Sequence, residues 1–237
     1  MKLKNSQSHR RRMRSRKQGL PPGSLEATAA VVAPSPVMSR VTVLEFSAAG
    51  CSEYELKKPE DLKALNLTDD VVRWINVYGV RDVEWLKVLG EVLDINALAL
   101  EDIATTDQRP RGEDYGKNIH ILMRVLKKDA DELFGFEQLS VILNQYLVVT
   151  LQEAHEAADV KLDVLESLRE RIRKGSGIIR MQQEDYVAYR IVDAVLDSYL
   201  VQLEGMSESV DMIQEEVLTN HDPQFLGGIH HMRRNLI

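Results

Sequence analysis

The stretch "NIHILMRVLKKDADELFGFEQLSVILNQYLVVTLQE", residues 118–153, contains three apolar segments, each long enough to form a β-strand. The segments 118–128, 134–144 and 145–153 are rich in Ile, Val and Leu, which favours strands bounded by polar turns. Asn144-Gln145 leaves room for only a tight connection between the last two segments. Because so short a connection joins only antiparallel neighbours, the sequence predicts antiparallel pairing here.

Upstream of this stretch, strand and helix patterns alternate. Alternating apolar residues predict strands, and apolar residues three or four positions apart predict amphipathic helices. The predicted strands are 40–46, 53–57 and 71–79, and the predicted helices are 59–65, 81–94 and 96–106. Alternation of this kind favours crossover connections, whereas the later strands favour antiparallel pairing. The expected fold is an α/β domain with a mixed β-sheet flanked by helices, an α/β/α sandwich.

Beyond residue 157 the pattern becomes helical. A helix is predicted at 158–174 and a long one at about 181–219, separated by the glycine turn Gly175-Ser176-Gly177. Apolar residues of the long helix alternate four and three positions apart, a heptad seam typical of packing against another helix. They are Val192, Leu196, Tyr199, Leu203, Met206, Val210, Ile213 and Val217. The helix also carries nine acidic residues and one basic residue, a surface expected to attract cations.

Charge is distributed unevenly along the chain. Residues 1–17 hold eight Lys or Arg and no acid, whereas the rest holds 22 basic and 37 acidic residues. We expect a basic, disordered tail at 1–24, an α/β domain at 25–175, and a long helical hairpin with the start of a stalk helix at 176–237. Residues 222–237 read as a helix that stops without a capping residue, and no window is apolar enough to span a membrane.

Several classes of site are not supported by the sequence. It lacks a nucleophile elbow, a Cys/His set and HExxH spacing, so we do not expect an enzyme. The single cysteine, Cys51, excludes an intramolecular disulfide and agrees with a reducing compartment. His221, His230 and His231 suggest zinc, but adjacent histidines on a helix diverge by about 100° and no cysteine accompanies them.

An acidic pair, Glu101 and Asp102, interrupts the apolar pattern of the helix predicted before residue 107. On the residues alone, such a pair is usually a solvated helix face. The segment Arg109-Pro110-Arg111 is expected to end this helix, with its arginines pairing with Glu113 or Asp114.

Four segments recur together in a specific order and carry a family resemblance. They are "ALALEDIATTDQRPRGEDYGKNIHIL", "FEQLSVILNQYLVVTLQE", "RERIRKGSGIIRMQQEDYVAYRIVDAVLDSYLVQLEGMSESVDMIQEEVL" and "HHMRRNLI". In this combination, about residues 40–237 resemble the cytoplasmic portion of the CorA family of magnesium transporters. One departure is Asn96-Ala97, which stands where that family often has His-Pro.

The resemblance implies a homopentamer in the cytoplasmic membrane, with an α/β/α domain on the cytoplasmic side. It also implies a stalk helix that leads to two membrane spans, neither of which is included in this sequence. The pore signature Gly-Met-Asn is missing too, since its nearest match, Gly205-Met206-Ser207, lies within the acidic helix. The chain is therefore expected to sense the ion and not to conduct it.

The resemblance also implies which residues bind metal. Glu101 and Asp102 resemble the acidic pair of the family's regulatory site between subunits, and Asp193 resembles a further carboxylate near it. We add Asp197, because residues four apart share a helix face. The expected ion is Mg²⁺, both regulatory and transported, with Co²⁺ or Ni²⁺ as further cargo.

Two alternatives remain open at this stage. The zinc-transporting branch of the same superfamily would use a similar cytoplasmic domain. A soluble nucleic-acid-binding protein would use the basic arm 1–17, but no aromatic residue lies among its arginines to stack on bases, so nucleic acid is not the expected partner.

Overall fold

The chain folds around one seven-stranded mixed sheet. The computed structural model describes residues 25, 39–65, 70–106, 108–127, 135–145, 147–153 and 163–219. The strands are β1 (Arg40–Ser47), β2 (Gly50–Leu56), β3 (Val72–Tyr78), β4 (Arg111–Asp114), β5 (Ile119–Lys127), β6 (Gly135–Leu143) and β7 (Leu147–Gln152). Their order across the sheet is β2-β1-β3-β7-β6-β5-β4. The β3–β7 pair is parallel and joins two antiparallel halves.

Helices cover both faces of this sheet. They are α1 (Val83–Leu93), α2 (Ala97–Ala104), α3 (Glu166–Lys174) and α4 (Glu184–Thr219), with short 3₁₀-helices η1 (Pro59–Ala64) and η2 (Ile179–Met181). One core holds η1, α1 and α2 against the first face, and a second core holds α3, η2 and the start of α4 against the other. The predicted α/β/α sandwich is thereby confirmed.

The central strands have to be apolar on both sides. In β3, Ile75 points into the first core and Trp74 into the second. Every residue of β7 is buried, with Val149 in the first core and Val148 in the second. This double burial explains why these segments read as continuous apolar runs and not as alternating patterns.

The corner between α1 and α2 is fixed by local caps. Asp82 caps α1 by accepting a hydrogen bond from the backbone N–H of Glu84 at 3.2 Å, and Asn96 caps α2 through Leu98 N–H at 2.9 Å. Between the helices, Asp94 adopts a left-handed conformation with φ 52°, which an aspartate tolerates better than most residues. These caps orient α2, the helix that carries the acidic pair.

A line of polar groups runs beneath the second helical layer. The Trp74 indole donates to the Thr150 hydroxyl at 2.9 Å, and that hydroxyl donates to the Asn76 side-chain oxygen at 2.6 Å. Farther along, Asp163 accepts from the Tyr78 hydroxyl at 2.6 Å and from Arg169 at 2.8 Å. These pairs satisfy polar groups that burial would otherwise make costly.

Most predicted elements are present, with a few corrections. Strand β4 was not expected, and the described helix α3 begins only at Glu166, after the segment 154–162, which lies outside the described residues. The predicted short helix at 59–65 is a 3₁₀-helix. The predicted tight connection is confirmed, because Asn144 exchanges backbone and side-chain hydrogen bonds with Leu147, both at 3.1 Å.

The long helix α4 matches its predicted extent, but its buried residues differ from the predicted seam. Val187, Ala188, Ile191 and Val195 pack on the sheet. Seam residues Leu196, Leu203 and Val210 are instead exposed, at 59%, 53% and 42%. The partner helix expected at 222–237, like the basic tail at 1–24, lies outside the described residues, so the hairpin stays a prediction. Among the helices the structure describes, none has the length and apolarity of a membrane span.

The Trp74–Thr150–Asn76 line makes a first testable prediction. Thr150→Val keeps the shape but removes the hydroxyl, leaving a buried donor and acceptor unpaired, which costs about 3 kcal/mol of unfolding free energy. Thr150→Ser keeps the hydroxyl and loses one methyl group, at about 1 kcal/mol. Urea unfolding of the three proteins measures both values, and a Val variant at least as stable as the Ser variant contradicts this role.

Candidate functional site

The acidic pair lies at the rim of the first helical layer. Helix α2 buries Ala99, Leu100 and Ile103 against α1 and the sheet. This leaves Glu101 and Asp102 half-buried between the core and the surface. The helix ends at Ala104, because Thr105 turns out of the helical conformation and its hydroxyl bonds back to the Glu101 carbonyl at 2.8 Å.

Asp102 of the acidic pair begins a line of four hydrogen-bonded side chains, which we call the Arg111 cluster: Asp102, Arg111, Glu113 and Tyr115. The charges of the first three alternate along the line. Nη2 of Arg111 donates to the Asp102 carboxylate. Nε of Arg111 donates to Oε1 of Glu113 at 2.8 Å, and the Tyr115 hydroxyl donates to Oε2 of Glu113 at 2.5 Å. One guanidinium thus joins two carboxylates that belong to different elements, α2 and β4.

Two glutamines hold this cluster in place, Gln138 through its side chain and Gln108 through its backbone N–H. Gln138 on β6 donates to the Asp102 carbonyl at 3.0 Å and accepts from the Gln108 N–H at 3.0 Å. Because Gln138 is itself buried, these bonds tie the end of α2 and the segment leading to Arg111 to the sheet.

Burial shifts the ionisation of the cluster. Burial raises the pKa of Asp102. The charges of Glu113 and Glu101 add to this rise, and Arg111 opposes it only in part. The Tyr115 hydroxyl, together with Arg111, lowers the pKa of Glu113, while Glu113 in turn raises the pKa of Tyr115 to about 12. The ionised form of Asp102 therefore lacks full compensation even with an arginine bonded to it.

His120 lies under the cluster as a buried, uncharged base. It pairs with Glu113 in the β4–β5 register and is 2% exposed. Neither ring nitrogen has a hydrogen-bond partner among the described residues. Burial, followed by the charge of Arg111, lowers the pKa of His120 to about 4.

The second pair of predicted ligands lies on α4. Asp193 is half-buried and pairs with Arg190 one turn earlier on the helix, at 2.8 Å. Asp197 is exposed on the following turn. As expected from their spacing, both residues belong to one stretch of helix surface.

One chain does not bring the two predicted pairs together. Glu101 and Asp102 belong to the layer on the first face of the sheet, and Asp193 and Asp197 to the layer on the second. Within the described residues, no group of three or more His, Cys, Asp or Glu could hold a metal ion. A site that uses both pairs therefore requires a second copy of the chain.

Two expectations about this region were incomplete or wrong. The segment Arg109-Pro110-Arg111 does not end the helix, which stops at Ala104, and Arg111 instead begins β4. The predicted pairing of Arg111 with Glu113 is confirmed, but its bond to Asp102 was missed. The turn pattern at 114–117 before a predicted strand was a signal for this hairpin.

His120 makes the stability of the domain depend on pH. The folded state keeps the ring neutral down to about pH 4, whereas the unfolded chain protonates it below its ordinary value of 6.5. Its contribution is therefore complete above pH 6.5 and is lost as the pH falls towards 4, by about 3 kcal/mol in total.

His120→Leu removes this titration. Between pH 7.5 and 4, urea unfolding should show that the native protein loses about 3 kcal/mol more stability than the variant. Equal losses in the two proteins would mean that His120 is protonated in the folded state as readily as in the unfolded chain.

Comparison with known sequences is consistent with this architecture. The model of the family described as "CorA-like Mg2+ transporter protein" matches residues 69–237. The chain is 32% identical over 225 residues to the cobalt/magnesium transport protein CorA of Thermotoga maritima, covering 94% of this chain and 61% of that protein. The chain thus spans about three fifths of the length of the curated relative that it matches.

Solved structures share the fold. The full-length CmaX protein has a TM-score of 0.65 at 15% identity, covering 86% of this chain and 59% of that one. The complete CorA magnesium transporter of Methanocaldococcus jannaschii has a TM-score of 0.60 at 17% identity, covering 85% and 58%. The cytoplasmic domain of ZntB from Vibrio parahaemolyticus has a TM-score of 0.55 at 7% identity, covering 82% and 71%.

The match of the family model over most of the chain, together with the sheet order and helical layers described above, decides the assignment. The chain belongs to the CorA-like Mg²⁺ transporter family.

Proposed function

We propose that this chain is the cation-sensing region of a divalent-cation transporter that carries Mg²⁺ or Co²⁺. In this proposal it lies on the cytoplasmic side of the cytoplasmic membrane and assembles as a homopentamer. Family membership supports transport as the activity, and the similarity to the cobalt/magnesium transport protein of Thermotoga maritima supports these two ions. No catalytic role is proposed.

One observation carries the sensing role: two pairs of carboxylates lie on opposite helical layers of the same chain. In a ring, the α2 layer of one copy can face the α4 layer of the next. We assign Glu101 and Asp102 of the first copy, with Asp193 and Asp197 of the second, as ligands of one ion. Each subunit interface would then hold one such site.

The chemistry of these side chains fits Mg²⁺. It prefers oxygen ligands in octahedral geometry and keeps several waters, so one or two carboxylates from each copy are sufficient. All four assigned ligands are carboxylates, which suit Mg²⁺ better than the nitrogen and sulfur ligands that zinc favours. This donor set favours magnesium over the zinc alternative that the ZntB-like fold would allow.

The energetics suit a sensor. Two like charges about 4 Å apart repel by roughly 4 kcal/mol at an effective dielectric near 20, an upper value here because Arg111 and Arg190 each offset one carboxylate. A bound dication removes the remaining repulsion and favours the closed ring. At a hundred times its Kd the ion stabilises each site by about 2.7 kcal/mol, and depletion releases it, which is negative feedback.

The proposal is tested by self-association of the chain in Mg²⁺, followed by sedimentation velocity. Asp102→Asn and Asp193→Asn should each raise the Mg²⁺ concentration for half-maximal association by about tenfold, the effect of about 1.4 kcal/mol per site. Asp94→Asn, which alters an exposed carboxylate paired with Lys117, is the matched control and should change little. Association that ignores Mg²⁺, or equal midpoints for all four proteins, would refute the site.

Mixing the variants tests whether the ligands come from different copies. In a mixed ring, chains with Asp102→Asn and chains with Asp193→Asn form some interfaces in which both assigned aspartates are native. An equimolar mixture should therefore associate at less Mg²⁺ than either variant alone. If both ligands came from one chain, mixing would restore nothing.

A further inference from the structure

A fixed positive charge already occupies the proposed cation site. Nη2 of Arg111 bonds the Asp102 carboxylate, while its Nε bonds Oε1 of Glu113 at 2.8 Å. The side chains of Arg111 and Asp102 are 30% and 23% exposed, so solvent and ions reach the pair from one side. Any cation that binds Asp102 must therefore share its oxygens with this guanidinium or displace it.

We propose that Arg111 is a tethered counter-ion, which competes with the dication for Asp102 and sets how weakly the sensor binds. This inference rests on the proposed function, because it concerns the same carboxylate. Without the ion, Arg111 spans Asp102 and Glu113. When the ion binds, Nη2 leaves Asp102 and Nε keeps its bond to Glu113.

Glu113 is the residue that holds the released arginine. Its second oxygen accepts from the Tyr115 hydroxyl at 2.5 Å, and its backbone is fixed by antiparallel pairing of β4 with β5. The planar fork of arginine presents Nε and Nη2 to two acceptors at once, which the single ammonium of lysine cannot do in the same geometry. The exchange therefore breaks one hydrogen bond without freeing the side chain.

The counter-ion also discriminates by charge. At comparable distance a dication attracts a carboxylate about twice as strongly as the single charge of Arg111 does, whereas K⁺ or Na⁺ offers no more than the arginine and must also lose water. Monovalent cations are thereby excluded from Asp102. The site is expected to respond to Mg²⁺ and not to the bulk salt of the cell.

The test uses a variant that is expected to raise the affinity for Mg²⁺, whereas a substitution that merely damaged the site would lower it. Arg111→Gln removes the competitor, so half-maximal association should need about tenfold less Mg²⁺, the equivalent of one lost charge-assisted bond at a partly exposed site. Arg109→Gln removes the same charge from an exposed position two residues away and is the matched control, with a change below about twofold. An Arg111→Gln midpoint that is unchanged or higher overturns the proposal.

A double-mutant cycle separates tethering from general electrostatics. Glu113→Gln removes the negative charge that holds Arg111 away from Asp102, so the guanidinium favours Asp102 and the Mg²⁺ midpoint rises. In the Arg111→Gln background the same change should have less than about half the effect on a logarithmic scale, because no guanidinium remains to be redirected. Equal effects in both backgrounds would show that Glu113 affects Mg²⁺ binding through its charge alone and not by holding Arg111. That result would overturn the tether.

Two further measurements keep the outcomes distinct. In the native chain, Mg²⁺ should shift the Arg111 Nη2–H signal in ¹⁵N NMR spectra while K⁺ leaves it unchanged, a test that needs no variant. A signal that ignores Mg²⁺ overturns the exchange. If Asp102→Asn raises the Mg²⁺ midpoint but Arg111→Gln does not lower it, the sensor stands and only the counter-ion fails. If Asp102→Asn has no effect, the proposed function itself fails.

Discussion

Burial of the central strands on both faces is the constraint on which the rest of the structure depends. Because β3 and β7 are buried on both faces, the sheet requires two helical layers. The layers divide the chain's carboxylates, with Asp102 in one and Asp193 in the other. A sheet of this kind keeps the two sets apart within a subunit, so any ion that binds both also reports on assembly.

The second layer is joined to the sheet by a buried charge and not by apolar packing alone. Arg169 pairs with Asp163 at 2.8 Å and lies over the rings of Trp74 and Tyr78, 5.1 and 5.8 Å from their centroids. Burial by itself would raise the pKa of Asp163, but the charge of Arg169 and the hydrogen bond from the Tyr78 hydroxyl lower it. Removing Arg169 would leave the Asp163 carboxylate buried without its charged partner, so this ion pair specifies where α3 docks.

The sequence predicted what depends on local pattern. The apolar runs of β3, β5, β6 and β7 and the helical patterns of α1 and α2 are visible in consecutive residues, and the sandwich follows from them. The Arg111 cluster was only partly predictable: Arg111–Glu113 is a contact two residues apart, whereas Asp102–Arg111 depends on the turn that sends the chain from α2 into β4. The apolar seam of α4 stays a prediction, because Leu196 and Leu203 are exposed and the helix expected to cover them lies outside the described residues.

The arginines paired with Asp102 and Asp193 determine how strongly the proposed site could bind a cation. Asp102 has Arg111 and Asp193 has Arg190, so in two facing copies each of these carboxylates would already be partly neutralised by an arginine. A cation that joins them would have to share the carboxylates with these arginines or displace them. The free energy of such an exchange is the attraction of the dication less that of the arginine, so it is smaller than the attraction of the dication alone. Burial still raises the pKa of Asp102 in the presence of Arg111, so one arginine does not fully offset the cost of burying this carboxylate. Weak binding of this kind would suit the reversible sensor that we propose.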